Sequence, residues 1–171
     1  MNTITNIIFL LLGSNLGESR VIFQSAKQLL SQEFGELINI SSLYKSPSWG
    51  FDSPDDFLNQ LLVFDTDKSP REVLRICLDV ELKLGRTRKF NQAHYESRVI
   101  DVDMLYFGNK IIDSVDLQIP HPKIQLRRFT LMPLAEIAPD MLHPLIGKSH
   151  DLLLAECVDD SIVEQINENN S

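Results

Sequence analysis

From Ile7 to Leu12 the chain is apolar without interruption, Ile-Ile-Phe-Leu-Leu-Leu, inside a strand-like stretch that begins near Ile4 and stops at Gly13-Ser14-Asn15. A strand with one wet face alternates apolar and polar residues, whereas an unbroken run needs apolar cover on both faces. The first strand is therefore expected at the centre of a sheet. Downstream, Ile22, Ala26, Leu29 and Leu30 recur at helical spacing and predict a helix over 18–34 that Gly35 ends. Residues 36–46 and 57–65 read as strands. Between them, Pro47-Ser-Trp-Gly-Phe-Asp-Ser-Pro-Asp-Asp56 is rich in proline, glycine and aspartate and is expected to be a mobile connection.

Ser69-Pro70-Arg71-Glu72 has the form of a capping box with proline at the first helical position. The helix it opens carries Val73, Ile76, Cys77, Val80 and Leu84 on one stripe and closes at Gly85. A strand over 97–108 follows, then a hairpin turn at Gly108-Asn109 into 110–112, a proline-stiffened segment over 119–123, a helix over 127–137 and a short one over 149–158. This order predicts an α+β fold, with a ferredoxin-like βαββαβ core whose mainly antiparallel sheet is flanked by helices in a three-layer α/β/α sandwich. Residues 1–158 are expected to form one domain, and 159–171 a polar, acidic tail that frays.

At 171 residues and 43% hydrophobic, the chain is large enough for a single proper core. Its net charge of -8 argues against an extended surface for nucleic acid or anionic membrane. The apolar run is far too short to span a bilayer, and no Lys or Arg precedes it as in a signal peptide; a cytoplasmic monomer is the expectation. Cys77 and Cys157 are too few for a disulfide scaffold and are expected to be reduced.

Chemistry is most legible in Ser97-Arg-Val-Ile-Asp-Val-Asp-Met-Leu-Tyr-Phe-Gly108. Strand alternation sends Ile100, Val102, Met104 and Tyr106 toward a core and Asp101 and Asp103 together to the opposite side. Two carboxylates held side by side repel unless a cation sits with them, and hard ions such as Mg²⁺ take oxygen ligands of this kind. Taken alone, the pair is better explained by a solvent-facing strand surface. The surroundings shift the balance, because Arg86, Arg88, Lys89 and Arg98 crowd the loop leading into this strand of an otherwise acidic chain. Carboxylates beside concentrated cations suit metal-bound polyphosphate. Phe57 and Asn59 share one strand face, yet periodicity alone assigns Phe57 and Phe129 to core packing. No Gly-x-x-x-x-Gly-Lys-Ser/Thr loop and no Gly-x-Gly-x-x-Gly occurs, which argues against a Walker-type or dinucleotide site.

Seven motifs occur in order: Gly13-Ser-Asn-Leu-Gly17, Tyr44-Lys-Ser-Pro-Ser-Trp-Gly50, Asp56-Phe-Leu-Asn59, Glu81-Leu-Lys-Leu-Gly-Arg86, Ser97-Arg-Val-Ile-Asp-Val-Asp103, Pro120-His121 and Arg127-Arg-Phe129. The set spans about Ile7 to Pro144 and closely resembles the 6-hydroxymethyl-7,8-dihydropterin pyrophosphokinases of folate biosynthesis. That resemblance implies transfer of the terminal pyrophosphoryl group of ATP to the hydroxymethyl oxygen of a reduced pterin, release of AMP, and two Mg²⁺ ions on an α+β fold.

Carried over by position, the resemblance makes Asp101 and Asp103 the ligands of both metals between the ATP phosphates, in a two-metal arrangement that stabilises attacking and leaving oxygens together. Arg86 and Arg98, with catalytic roles, and Arg88 match a flexible loop that closes over the nucleotide. His121 and Arg127 match positions contacting ATP, and Glu81 an acidic position that either orients an arginine or lies exposed. Tyr95-Glu96-Ser97 stands where many members have Trp-Gly-Pro, which assigns Tyr95 to stack in place of that tryptophan. For the pterin, Phe57 and Phe129 match the two aromatics that sandwich the ring, Asn59 the amide that hydrogen-bonds it, and the backbone of Ser46, Pro47 and Trp49 the loop that reads its edge. Offset stacking of this kind contributes about 0.5–1.5 kcal/mol beyond burial. Two rival readings use the same carboxylates: a Mg²⁺-dependent phosphohydrolase or nucleotidyltransferase, and a non-catalytic nucleotide- or pterin-binding module.

Overall fold

The structure, a computed structural model, describes residues 5–15, 18–85 and 99–167. The apolar run becomes β1 (Asn6–Ser14), and it does lie inside the sheet, between β4 (Phe57–Thr66) and β5 (Asp101–Phe107). On one face, Ile8, Leu10 and Leu12 meet Phe23, Ala26 and Leu30 of α1 (Ser19–Phe34) and Val73, Ile76, Cys77 and Val80 of α2 (Pro70–Lys83). On the other, Phe9 and Leu11 meet Leu131 and Leu134 of α3 (Arg128–Ile137) and Leu153 of α4 (His150–Ala155). Three layers result, and each fully buried aliphatic or aromatic side chain contributes roughly 1.5–3 kcal/mol. Ile7 alone of the run escapes this cover, at 40% exposed.

Local signals set the helix ends. The Ser69 hydroxyl accepts from the Glu72 amide at 3.3 Å and the Glu72 carboxylate accepts from the Ser69 amide at 2.7 Å, so the capping box is complete. α1 ends where Gly35 takes φ 87°, a conformation that costs glycine nothing.

The remaining strands are β2 (Leu37–Ile40), β3 (Leu43–Ser46), β6 (Ile112–Asp113), β7 (Gln118–Ile119) and β8 (Glu164–Ile166). The main sheet runs β5-β1-β4-β3-β8 with β2 also on β4, and its pairings are antiparallel. With β2 and β3 taken as one interrupted strand, this is the expected βαββαβ core. The interruption has a clear cause. Ser41 donates its amide to Leu61 O while its hydroxyl accepts from the Leu61 amide, both at 2.9 Å, so a side chain replaces one rung of the ladder.

Three expectations need correction. Tyr106 does not share a face with Ile100, Val102 and Met104. The β1–β5 register shifts between Phe9, opposite Tyr106, and Leu10, opposite Met104, so an extra residue is accommodated at Leu105. Such a bulge reverses which face every later side chain takes, and Tyr106 enters the α3 and α4 side of the core. The turn at Gly108 exists, but β6 pairs with β7 in a separate two-stranded sheet and does not fold back on β5. Residues 159–166 are not a frayed tail: β8 pairs with β3, and Ile166 packs against the α1 and α2 core, while 168–171 lie outside the described residues. The segment's few apolar residues gave no strand signal, because an existing open edge supplies most of what holds it.

Candidate active site

β5 is the last strand on its side of the sheet, which gives Asp101 and Asp103 two outlooks, one over the sheet face and one past the edge. Gly13 lies opposite Asp101 and Leu11 opposite Asp103. Val102, between the carboxylates, points its amide outward, where Glu81 Oε1 of α2 accepts it at 2.9 Å. Glu81 is only 2% exposed, so the option of an exposed residue is excluded. Further along the same edge, the His121 amide donates to Leu105 O at 2.9 Å. The outer side of β5 is thus held by α2 and by the segment after β7.

Over the sheet face lies a cleft of about 560 Å³, its open mouth included. Its floor is Leu11, Gly13, Asn59, Asp101 and Asp103. One wall is Ser46, Pro47, Trp49 and Phe51, continuing to Phe57; the other is Arg127 and Phe129 at the start of α3. Asn59 is buried and fixed, its amide donating to Ser46 Oγ at 2.9 Å and to Tyr44 O at 3.4 Å. Phe51 and Phe57 meet edge to face at 5.9 Å. The Arg127 guanidinium sits 4.6 Å from the Trp49 ring centre and 5.6 Å from that of Phe129, so a cation joins the two walls through their aromatic faces.

The loop over 47–56 is stitched internally. Ser48 Oγ donates to Phe51 O at 2.6 Å and accepts from the Ser53 amide at 3.2 Å, while Lys45 and Asp56 pair across its base at 3.2 Å. Asn15 reaches the same loop through Ser53 Oγ at 3.4 Å.

Past the edge of β5 a second, more open cleft brings Glu81 and His121 beside the same Asp101 and Asp103, under Leu74 and Leu78 of α2 and Val115 and Leu117. His121 has its pKa pushed down to about 4, by burial first and then by the Arg127 and Lys123 charges. Its Nδ1 accepts the Lys123 amide at 3.2 Å, so the neutral ring carries its proton on Nε2.

The aromatic cleft and the second cleft share Asp101 and Asp103 in their linings. The family model for 7,8-dihydro-6-hydroxymethylpterin-pyrophosphokinase matches residues 9–139. The 2-amino-4-hydroxy-6-hydroxymethyldihydropteridine pyrophosphokinase of Porphyromonas gingivalis is 38% identical over 139 residues, covering 81% of this chain and 94% of that protein. The Aquifex aeolicus protein of the same name is 36% identical over 141 residues, covering 82% and 86%. The chain belongs to the hydroxymethyldihydropterin pyrophosphokinase family. Among solved structures, a Plasmodium falciparum HPPK-DHPS chain with pteroate superimposes with a TM-score of 0.72 at 15% identity, over 91% of this chain and 45% of that one. A second HPPK-DHPS chain, in complex with substrates, gives 0.70 at 14% identity, over 88% and 43%. These likenesses concern the fold, and this chain spans less than half of either structure.

Against the sequence expectation for a pyrophosphokinase of this family, Ser46, Pro47, Trp49, Phe57, Asn59 and Phe129 converge on the first cleft with Asp101 and Asp103. Glu81 and His121 lie in the second. Arg127, expected on the nucleotide side, lines the first cleft among the aromatics. Arg86, Arg88, Tyr95 and Arg98 lie outside the described residues. Leu11, Gly13 and Phe51 line the first cleft without having been singled out for it. Gly13 did carry a signal: glycine ending an apolar strand marks close approach by something other than a side chain.

Proposed function

We propose that the two clefts are the two substrate sites of one transfer reaction, with Asp101 and Asp103 on their shared wall. The chain is an ATP-dependent pyrophosphokinase of folate biosynthesis: it moves pyrophosphate from ATP to the hydroxymethyl group of 6-hydroxymethyl-7,8-dihydropterin. The observation that carries the site assignment is that the two carboxylates alone, with no other acid, line both clefts among the described residues.

In this reading the pterin lies in the aromatic cleft between Phe57 and Phe129, with its polar edge against Asn59 and the backbone of Ser46, Pro47 and Trp49. ATP lies past the edge of β5, near Glu81 and His121, with its phosphates reaching Asp101 and Asp103. The His121 Nε2–H is assigned to donate to a phosphate oxygen, and Arg127 to add positive charge from the pterin side. Arg86, Arg88 and Arg98 are assigned to phosphate neutralisation and Tyr95 to stacking.

Two adjacent carboxylates fit Mg²⁺, which keeps water and substrate phosphate among its ligands and needs few protein oxygens. No third His, Cys, Asp or Glu joins them among the described residues. Two ions, the number the resemblance implies, are assigned to Asp101 and Asp103. Bound there, Mg²⁺ would stabilise charge on the phosphate oxygens. The pterin hydroxyl oxygen bonds to the β-phosphorus, the bond from that phosphorus to the oxygen shared with the α-phosphate breaks, AMP departs and the hydroxyl proton is released. The protein's share is positioning, since both substrates are held against a common wall and no enzyme nucleophile is used.

Both clefts lie within residues 1–158; because β8 joins the same sheet, we assign a single catalytic domain that continues through Ile166, and the working form is assigned as a cytoplasmic monomer. No helix among the described residues is long and apolar enough to cross a membrane. The test is incubation with hydroxymethyl-dihydropterin, ATP and Mg²⁺, followed by chromatography. AMP with pterin pyrophosphate is expected; ADP, or phosphate released without modified pterin, would refute the reading.

A further inference from the structure

Residues 159–166 lie beyond Pro139, where the family match ends, yet they touch both walls of the aromatic cleft. On one side, Asp159 Oδ2 accepts from the Arg128 amide at 3.0 Å and its Oδ1 from the Ser161 amide at 3.1 Å. Arg128 is the first residue of α3 and stands between Arg127 and Phe129, so this carboxylate caps the turn that presents both cleft residues. Burial opposes the charge of Asp159, but these amides outweigh it and hold its carboxyl below the usual carboxylate range.

On the other side, β8 lies along β3, with Gln165 opposite Tyr44 and Glu164 opposite Lys45, one residue short of Ser46. Ser46 is the hydroxyl to which Asn59 donates. Ile162 and Glu164 border the back of Ser46 and Pro47. A chain of polar contacts then joins the two walls. Gln165 Nε2 donates to Ser42 Oγ at 2.8 Å; Ser42 Oγ and Tyr44 OH donate to Glu136 of α3 at 2.8 and 2.7 Å.

We infer that residues 159–166 are a clasp that sets the spacing between the α3 wall and the Ser46-Pro47 wall of the aromatic cleft, and that Asp159 is a positioning residue for pterin binding. The inference rests on the assignment of pterin to that cleft. Among the described residues none of the clasp's hydrogen bonds or strand pairings reaches a residue lining the second cleft, so loosening it weakens pterin binding well beyond any effect passed to the nucleotide through Arg127.

The test is direct titration of the full-length protein with a non-hydrolysable Mg-ATP analogue alone, and with hydroxymethyl-dihydropterin in its presence. Asp159→Ala and the double variant Glu164→Pro/Gln165→Pro are expected to raise the pterin Kd roughly threefold to tenfold, the range a lost cap gives when transferred to binding, with the analogue Kd raised by a clearly smaller factor. Asp159→Asn keeps one acceptor oxygen and recovers part of the loss. Equal weakening of both ligands, or pterin affinity unchanged in a folded Asp159→Ala protein, overturns the clasp. Asp159 is partly exposed, so this variant decides alone if the double proline fails to fold. Phe129→Ala separates the two levels: if it leaves pterin affinity intact, the cleft assignment itself is wrong, whereas if only Phe129→Ala weakens pterin, the cleft stands and the clasp does not.

Discussion

Glu81 accepts the Val102 amide at 2.9 Å, so the residue between Asp101 and Asp103 is held in place from α2 by a carboxylate that is itself almost wholly buried. An edge strand leaves outward amides without partners, and here one of them is supplied by a charged acceptor rather than by water or another strand. The Cys77 thiol nearby is pushed up by burial first and then by the Glu81 and Asp103 charges.

Glu81→Ala is therefore expected to cost about 1–3 kcal/mol of stability, the penalty of a buried amide losing its acceptor, and to lower turnover by letting the carboxylate-bearing strand shift. Glu81→Gln retains an acceptor oxygen and should recover most of the stability. Thermal unfolding and steady-state rates of both variants check this; equal stability loss in the two would mean the charge, not the hydrogen bond, is what matters.

Gly13→Ala probes the floor of the aromatic cleft. A methyl there sits 3.7 Å from Asn59 Oδ1 and 4.0 Å from Asp101 Cβ, ordinary contact distances, so the fold accepts it while the floor rises. Stability should hold or gain about 0.5–1 kcal/mol, because alanine loses less backbone freedom than glycine on folding. Pterin affinity should drop in a titration while Mg-ATP affinity stays, and an unchanged pterin Kd would remove the ring from this floor.

Asp101→Asn and Asp103→Asn are each expected to abolish measurable turnover in a protein that still folds, because each removes a carboxylate charge from the wall shared by the two clefts. In the wild type, Mg²⁺ added with ATP should raise the unfolding temperature, and chelation by EDTA should reverse the shift; neither variant should respond fully. Normal turnover by either one removes the carboxylates from the metal site.

Beneath α3 and α4 a buried histidine pair predicts acid sensitivity. His150 Nδ1 donates to Ala138 O at 2.7 Å, which leaves Nε2 to accept from Tyr106 OH at 3.0 Å, and His143 lies edge-on to the same tyrosine ring at 5.8 Å. Burial first, and for His143 also the charge of His150, holds both below the ordinary histidine value. The unfolded chain therefore takes up protons that the folded one refuses. Their contribution is intact above about pH 6.5 and is lost as pH falls toward the folded values. Urea midpoints should be level from pH 8 to 7 and decline below 6.5, with a shallower decline in His150→Gln; a level midpoint down to pH 5 would contradict this.

Much of this protein is written in local pattern. The unbroken run of β1, the capping box at Ser69 and the stripe on α2 are short-range features, and each persists because a few neighbouring residues suffice to favour one backbone state. The facing of Asp101 and Asp103 is of the same kind, since alternation holds as long as no residue is inserted. Tyr106 lies beyond the bulge at Leu105, and there alternation fails, because registry with β1 is decided by the whole sheet. The family motifs identified the aromatic set, but periodicity alone assigned Phe57 and Phe129 to the core, as nothing local distinguishes a ring that lines a cleft from one that fills a core. Glu81 illustrates the converse: a late-helix glutamate is ordinarily solvated, and only β5 packing beside α2 turns it inward. The pairing of β8 with β3 and the cap of Asp159 on α3 join residues more than thirty apart at least, where chain entropy leaves the choice to tertiary packing. Sequence determined the elements and the chemistry they carry; the assembled sheet decided which side chains face each other across a cleft.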